Sequence, residues 1–192
     1  MTDPTDPTVP SEESAQIVQP DGIVPDTKDW TWVLERPCPE CGFAAVGVEP
    51  TDVGPAVRET LPRWRAALGR PDVAERPRPD VWSTLEYAAH VRDVFRIFDE
   101  RLALMLADDD PAFANWDQDV AALEGDYAHQ DVEALLAELD AEGAAVAASF
   151  DAVAPGETER TGRRSNGSVF TVRTLGQYFL HDVVHHLHDV RA

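Results

Sequence analysis

Apolar residues recur at helical spacing in four separate segments of this chain. The first segment runs from about Val53 to Leu68, and the second from about Trp82 to Ala107. The third follows Asp131, and the fourth runs from about Thr171 to Val190. Apolar positions three and four residues apart form one stripe in each segment, which is typical of an amphipathic helix packed on a core. No segment alternates strongly with a period of two, so we predict an all-α four-helix bundle.

Local signals mark where the predicted helices begin and end. Ser83 is a good N-cap for the second helix, and Glu86, three residues on, completes a capping box. Asp131 is a good N-cap for the third helix, which Pro155 ends. Pro62 lies inside the first helix, where it is expected to strain or kink the backbone.

Composition divides the chain into three parts. Residues 1–29 are rich in Pro, Thr, Asp and Glu without apolar periodicity, which predicts a flexible, disordered acidic tail. Residues 30–52 form a loop-rich segment with a Cys-x-x-Cys motif, and residues 53–192 form the predicted bundle. Within the bundle, residues 108–130 and 154–170 are predicted to be long polar connections.

The chain is strongly acidic, with 36 acidic and 16 basic residues and a formal net charge of −20. This charge argues against nucleic acid or an anionic membrane as a partner. The N-terminus lacks the basic start and apolar stretch of a secretory signal, and two cysteines make no disulfide scaffold, so a cytoplasmic location is expected. Lys28 is the only lysine beside fifteen arginines, a bias typical of GC-rich genomes such as actinobacterial ones.

Four of the six histidines lie within eight residues of the fourth predicted helix. At about 100° per residue, His181, His185 and His188 share one face, whereas His186 lies about 140° from His181 and is not expected to join them. His-x-x-x-His is a suitable spacing for two imidazoles on one metal ion. His90, in an apolar part of the second helix, is the natural third ligand. The alternative for His90 is a buried neutral side chain satisfied by hydrogen bonds.

Two motifs give the chain a resemblance to the DinB-like superfamily. They are Trp-Ser-x-x-Glu-x-x-x-His at 82–90 and, about ninety residues later, His-x-x-x-His at 181–185. The superfamily includes bacillithiol and mycothiol S-transferases and mycothiol-dependent maleylpyruvate isomerases. The resemblance covers roughly residues 53–190. It implies a four-helix bundle that holds a metal ion through His90, His181 and His185.

Several further side chains are candidates for the surroundings of this site. Glu86 and Asp93 could each accept the outer N–H of a ligand histidine, or serve as a helix cap or a solvated charge. The side chains of Asp182 and Asp189 point about 100° and 80° away from the helix face that carries the ligand histidines. They are therefore less suited to accept a hydrogen bond from those histidines. His188 stands where many relatives have Gln, and could be a neighbour of the ligands, an alternative ligand or a substrate contact. Four aromatic residues are candidates for either pocket walls or core packing: Trp82, Trp116, Tyr127 and Tyr178.

Three neutral imidazoles would leave a divalent ion with its full charge and an open position. A thiol at that position would be deprotonated, and water could be activated instead. Zinc is the first choice, although His ligands also suit Ni, Fe or Cu. The resemblance implies a thiol S-transferase or isomerase that uses a low-molecular-weight thiol, such as mycothiol, on an electrophilic small molecule.

Two other functions stay open at this point. One is a non-catalytic, stress-associated bundle that binds a metal or ligand, with His188 closing the site. The other is a metal-dependent hydrolase in which Glu86 or a nearby Asp serves as the base. A homodimer is compatible with a bundle of this class, and no sequence feature decides the oligomeric state.

Cys38 and Cys41, in Cys-Pro-Glu-Cys, form a second candidate site. The motif is half of a structural zinc site or a redox pair. A Cys₄ site would need two more cysteines, which the chain lacks, and no spacing singles out His129 as a further ligand. A thioredoxin-like role lacks its βαβ setting. The expectation is therefore two reduced thiols in a surface loop.

Overall fold

The computed structural model describes residues 22–24, 28–114 and 116–192. Five α-helices follow one another in the chain: α1 (Pro50–Leu68), α2 (Thr84–Ala107), α3 (Gln118–Glu124), α4 (Val132–Asp151) and α5 (Val172–Asp189). Two short 3₁₀ helices span Trp30–Leu34 and Tyr127–His129, and a two-stranded hairpin consists of β1 (Thr161–Arg163) and β2 (Val169–Thr171). The four long helices are those that the apolar periodicity predicts, which confirms the helical bundle.

The predicted helix starts are confirmed by their hydrogen bonds. Ser83 Oγ accepts from the Glu86 backbone N–H at 3.2 Å, while Glu86 Oε2 accepts from the Ser83 N–H at 2.7 Å. Asp131 Oδ1 accepts from the Ala134 N–H at 2.8 Å. These bonds satisfy N–H groups that have no partner inside a helix. Helix α1 continues through Pro62 to Leu68.

Helices α4 and α5 each pack against both α1 and α2. The direct contact between α1 and α2 is much smaller. The core between them is aromatic: the Phe179 ring lies 5.7 Å from Phe150 and 5.0 Å from Phe98, in stacked geometry. The 3₁₀ helix Trp30–Leu34 also packs on α5. Helix α5 therefore faces α2 on one side and the N-terminal segment on another, and this position decides which residues its side chains can meet.

Both predicted connections contain regular structure that the sequence pattern did not reveal. Helix α3 lies within 108–130, and the hairpin begins within 154–170 and ends one residue beyond it, at Thr171. In the hairpin, Gly162 pairs with Phe170, and the turn includes Gly167 at a φ of +91°. Three-residue strands are too short to show alternation, so periodicity could not predict them.

The tail predicted for residues 1–29 lies mostly outside the described residues. Of this stretch, 22–24 and 28–29 are described, and Ile23 is buried there. Among the described helices, none has the length and apolar character required to span a membrane.

Candidate metal centres

Helix α5 carries two pairs of potential metal ligands, each spaced four residues apart. One pair is His181 and His185, and the other is Asp182 and His186. The second pair is displaced by one residue, or about 100° around the helix, so the two pairs face different neighbours.

The first cluster, which we call the His90 group, consists of His90, Asp182 and His186. One ligand atom from each residue lies within 4.8 Å of the others. Asp182 Oδ1 is 3.5 Å from His90 Nε2 and also 3.5 Å from His186 Nε2. A carboxylate oxygen thus faces one nitrogen from each imidazole.

These three residues fit a divalent metal ion. Among the described residues, neither His90 ring nitrogen nor Asp182 Oδ1 has a hydrogen-bond partner, although all three atoms are buried. Buried polar atoms rarely stay unsatisfied. Zinc bonds to N and O of about 2.0–2.2 Å in tetrahedral geometry would place two ligand atoms about 3.4 Å apart. The observed 3.5 Å separations match two ligands of one ion.

The electrostatics of the His90 group favour the ligand forms of His90 and Asp182. Burial lowers the pKa of His90, so its imidazole is neutral at pH 7. Burial alone would raise the pKa of Asp182, but the facing imidazoles of His90 and His186 outweigh burial and hold this pKa below its usual value. A neutral imidazole and an ionised carboxylate are the states that bind metal.

Aromatic rings enclose His90 on α2. The Trp116 ring stacks on His90 at 5.5 Å between centroids, and the Trp82 ring lies 5.4 Å away. His90 is fully buried, whereas the side chains of Asp182 and His186 are 22% and 17% exposed. The group is therefore buried on the side of α2 and partly exposed on the side of α5.

The second cluster, the cysteine group, consists of Cys38, Cys41, His181 and His185, whose ligand atoms also lie within 4.8 Å of one another. Cys38 Sγ is 3.7 Å from His185 Nδ1. Cys38, predicted to lie in a surface loop, is instead buried, because its loop packs on α5. Burial lowers the pKa of His181 to about 4 and raises the pKa of the Cys41 thiol to about 11.

The structure divides the predicted triad between the two clusters. His181 and His185 are adjacent, with ring centroids 5.0 Å apart, but His90 groups with Asp182 and His186. The reason is the position of α5, because the His181 face meets the N-terminal loop while the Asp182 face meets α2. A single ion held by His90, His181 and His185 stays a prediction, and the observed positions favour two separate groups.

The other predicted residues lie as follows. Glu86 caps α2 and pairs with Arg76, and Asp93 accepts hydrogen bonds from Tyr127 and Arg92. His188 is exposed and belongs to neither group in the described part of the chain.

Among the remaining candidates, Trp82 contacts the site and Tyr178 packs elsewhere. Tyr178 lies on another part of α5, where its ring packs against Phe98 of α2 and Phe170 of β2. His129 is exposed beside Asp126, so it is not a ligand partner for the cysteines.

Sequence reasoning missed Asp182 and His186 as members of the candidate centre. The available signal is that Asp182 and His186 form a second pair spaced by four residues, on a face of α5 about 100° from that of His181 and His185. Trp30 was also missed: its ring lies 5.4 Å from His181 and 5.1 Å from His185. No local pattern connects residue 30 with α5.

Known proteins with a similar structure or sequence support the helical-bundle fold. YfiT from Bacillus subtilis, described as a probable metal-dependent hydrolase with an unusual four-helix bundle topology, is similar in structure with a TM-score of 0.64 at 19% identity. The similarity covers 72% of this chain and 82% of YfiT. No curated protein sequence matches the chain significantly. The family model of the DinB superfamily matches residues 56–190, and the chain belongs to this superfamily.

Proposed function

We propose that this chain is a metal-dependent transferase that joins a low-molecular-weight thiol to an electrophilic small molecule. The His90 group would hold the divalent ion, with zinc as the first choice and Ni or Fe as alternatives. The observation that carries the proposal is the approach of Asp182 Oδ1 to Nε2 of both His90 and His186 at 3.5 Å, while Asp182 Oδ1 and both His90 ring nitrogens are buried without a hydrogen-bond partner among the described residues.

The donor set supports a reactive centre. Two imidazoles and one carboxylate provide three protein ligands, which leaves a position for a small molecule. A divalent ion bound there lowers the pKa of a thiol or a water that reaches it. The exposed edges of Asp182 and His186 give such a molecule its route of approach.

A thiol is the nucleophile that suits these surroundings better than water. A cysteine-like thiol has a pKa of about 8.5, against about 15.7 for water, so it needs much less help to ionise at pH 7. The nearby carboxylates of Glu86 and Asp93 are already occupied by Arg76 and Tyr127. No additional base is needed, because the thiol proton can pass to solvent while sulfur forms a bond to the electrophilic carbon and the leaving group departs with its electrons.

The rings of Trp82 and Trp116 beside His90 supply flat apolar walls that suit an aromatic or unsaturated electrophile. The proposal places the reaction in the cytoplasm, where small thiols are kept reduced. Mycothiol is the proposed thiol if the source is actinobacterial.

A thiol-dependent assay tests this function. The metal-loaded protein is incubated with mycothiol, bacillithiol or glutathione and 1-chloro-2,4-dinitrobenzene, and the thioether product is measured. We expect thioether formation faster than the uncatalysed rate for at least one thiol. Asp182→Asn should lose this acceleration, whereas His129→Ala, a control at an exposed position, should retain it. Lack of acceleration with every thiol, in protein with verified metal content, would reject the proposal.

Hydrolysis is the second candidate, because two histidines and a carboxylate also form the ligand set of some zinc hydrolases. YfiT is described as a probable metal-dependent hydrolase, which supports the same alternative. Release of 4-nitrophenol from its esters by the metal-loaded protein, without added thiol, would favour it. A non-catalytic bundle is less favoured, since His188 lies outside the His90 group and does not close it.

A further inference from the structure

We propose that Cys38, Cys41, His181 and His185 form a second, structural zinc site that fastens the N-terminal segment to α5. The two cysteines precede residues 56–190, which match the superfamily, so the bundle alone does not supply this donor set. The proposal concerns residues distinct from the His90 group and does not depend on the reaction proposed for that group.

The four donor atoms are already close enough to share an ion. They lie within 4.8 Å of one another, and the distance from Cys38 Sγ to His185 Nδ1 is 3.7 Å. Tetrahedral zinc with bonds of about 2.3 Å to sulfur and 2.0–2.1 Å to nitrogen separates such atoms by about 3.6 Å. In addition, His181 Nε2 is buried without a hydrogen-bond partner among the described residues.

The loop that carries the cysteines has the shape this role requires. The Gly42 N–H donates to Cys38 O at 2.9 Å, and the Cys38 N–H donates to Phe43 O at 2.8 Å. Gly42, directly after Cys41, has a φ of +76°, which side chains disfavour and glycine permits. The resulting tight turn brings both sulfur atoms towards α5, and both cysteines are free thiols.

The surroundings hold the histidines in place. His185 points Nδ1 at Cys38, and its Nε2 lies 3.6 Å from a Glu40 carboxylate oxygen and 3.7 Å from an Asp189 oxygen. Metal-binding histidines commonly direct their second nitrogen at a carboxylate in this way. The Trp30 ring covers both histidines, and the Phe43 ring lies 6.0 Å from His181.

Charge and ligand number assign this site a structural role and zinc as its metal. The two negative charges of two thiolates balance the formal charge of one Zn²⁺, two neutral imidazoles add none, and the two thiol protons pass to solvent on binding. Four protein ligands leave no position for a substrate, as in other Cys₂His₂ sites. A tetrahedral set of two sulfur and two nitrogen donors favours zinc over magnesium or calcium.

Cobalt substitution provides the first test, carried out on the full chain under reducing conditions. Co²⁺ bound by thiolates gives an intense sulfur-to-metal charge-transfer band in the near ultraviolet, which histidine and carboxylate ligands do not give. We expect this band in the wild type and in Asp182→Asn, and a loss of most of it in Cys41→Ser, with about one fewer zinc ion per chain. Absence of the band from the wild type, or full zinc content in Cys41→Ser, would overturn the proposal.

Thiol alkylation provides a second test that needs no substitution, and it stays informative if Cys41→Ser does not fold. Zinc-loaded wild type and chelator-treated wild type are exposed to iodoacetamide, and modification of Cys38 and Cys41 is followed by mass spectrometry. Zinc should slow modification of Cys41, the more accessible of the two, by at least about tenfold, because a bound thiolate is a poorer nucleophile. Equal rates with and without zinc would overturn the proposal.

Discussion

His185 and His186 are consecutive in the chain, yet their rings face two different groups of ligand atoms. Their ring planes are inclined at 79°, with centroids 5.9 Å apart. Asp189 lies beside both: its Oδ2 is 2.8 Å from His186 Nδ1, and its Oδ1 is 3.7 Å from His185 Nε2. One carboxylate therefore contacts the outward nitrogen of a histidine from each cluster.

Replacing this shared carboxylate should weaken both candidate metal sites. In Asp189→Asn the charge that orients the two imidazoles and increases their basicity is lost, and such losses typically reduce metal affinity about 10- to 100-fold. Competition titration with a chromophoric chelator measures the affinity of each site. Asp140→Asn, which alters an ion pair with Arg65 on the bundle surface, is the matched control. Wild-type affinities in Asp189→Asn would show that Asp189 supports neither site.

Glu86 is expected to matter for stability and not for metal binding. Burial alone would raise the pKa of the Glu86 carboxyl. The hydrogen bonds from Arg76 and Ser83 outweigh burial and hold this pKa below its usual value. Glu86→Gln should lower the free energy of unfolding by about 1–3 kcal/mol, the usual worth of hydrogen bonds to a charged group. Urea denaturation measures this change. Metal content should equal that of the wild type, and loss of metal from the folded variant would place Glu86 at the site after all.

The metal-free protein should lose stability as the pH falls from about 6.5 to about 4. Burial lowers the pKa of His181 to about 4 in the folded chain, against an ordinary 6.5, so the unfolded chain binds more protons in this interval. One such group contributes a slope of up to about 1.4 kcal/mol per pH unit.

The measurement is urea denaturation of chelator-treated protein at several pH values. The wild type should lose stability more steeply than His181→Gln, in which this titration is removed. Carboxylates titrate in both proteins and cancel in the difference. Identical slopes for the two proteins would show that His181 does not carry the predicted shift.

The helices could be predicted because their information is local. Apolar stripes and caps such as Ser83 and Asp131 act within a few residues, and the structure places long helices where these patterns lie. The short hairpin at 161–171 could not be predicted, because three residues in each strand are too few to show a periodic pattern of apolar and polar residues.

For the two candidate sites, the sequence predicts which residues of α5 lie side by side, but it does not predict their partners from other parts of the chain. The spacing of His181 and His185 does place them side by side, but spacing along one helix cannot say which other element they face. A helix covered on two sides can supply ligands to two groups, and Asp182 with His186 forms the second pair. That His90 meets this pair, while Cys38 and Cys41 meet the other, depends on tertiary packing alone.

Native mass spectrometry of zinc-loaded protein tests the division into two metal centres most directly, because it counts ions on folded chains. We expect two zinc ions per chain in the wild type, one in His186→Ala and one in His181→Ala. In the variant that carries both changes, we expect no zinc ion. If His181→Ala and His90→Ala instead lost the same single ion while His186→Ala retained it, one site of three histidines would replace the two groups described here.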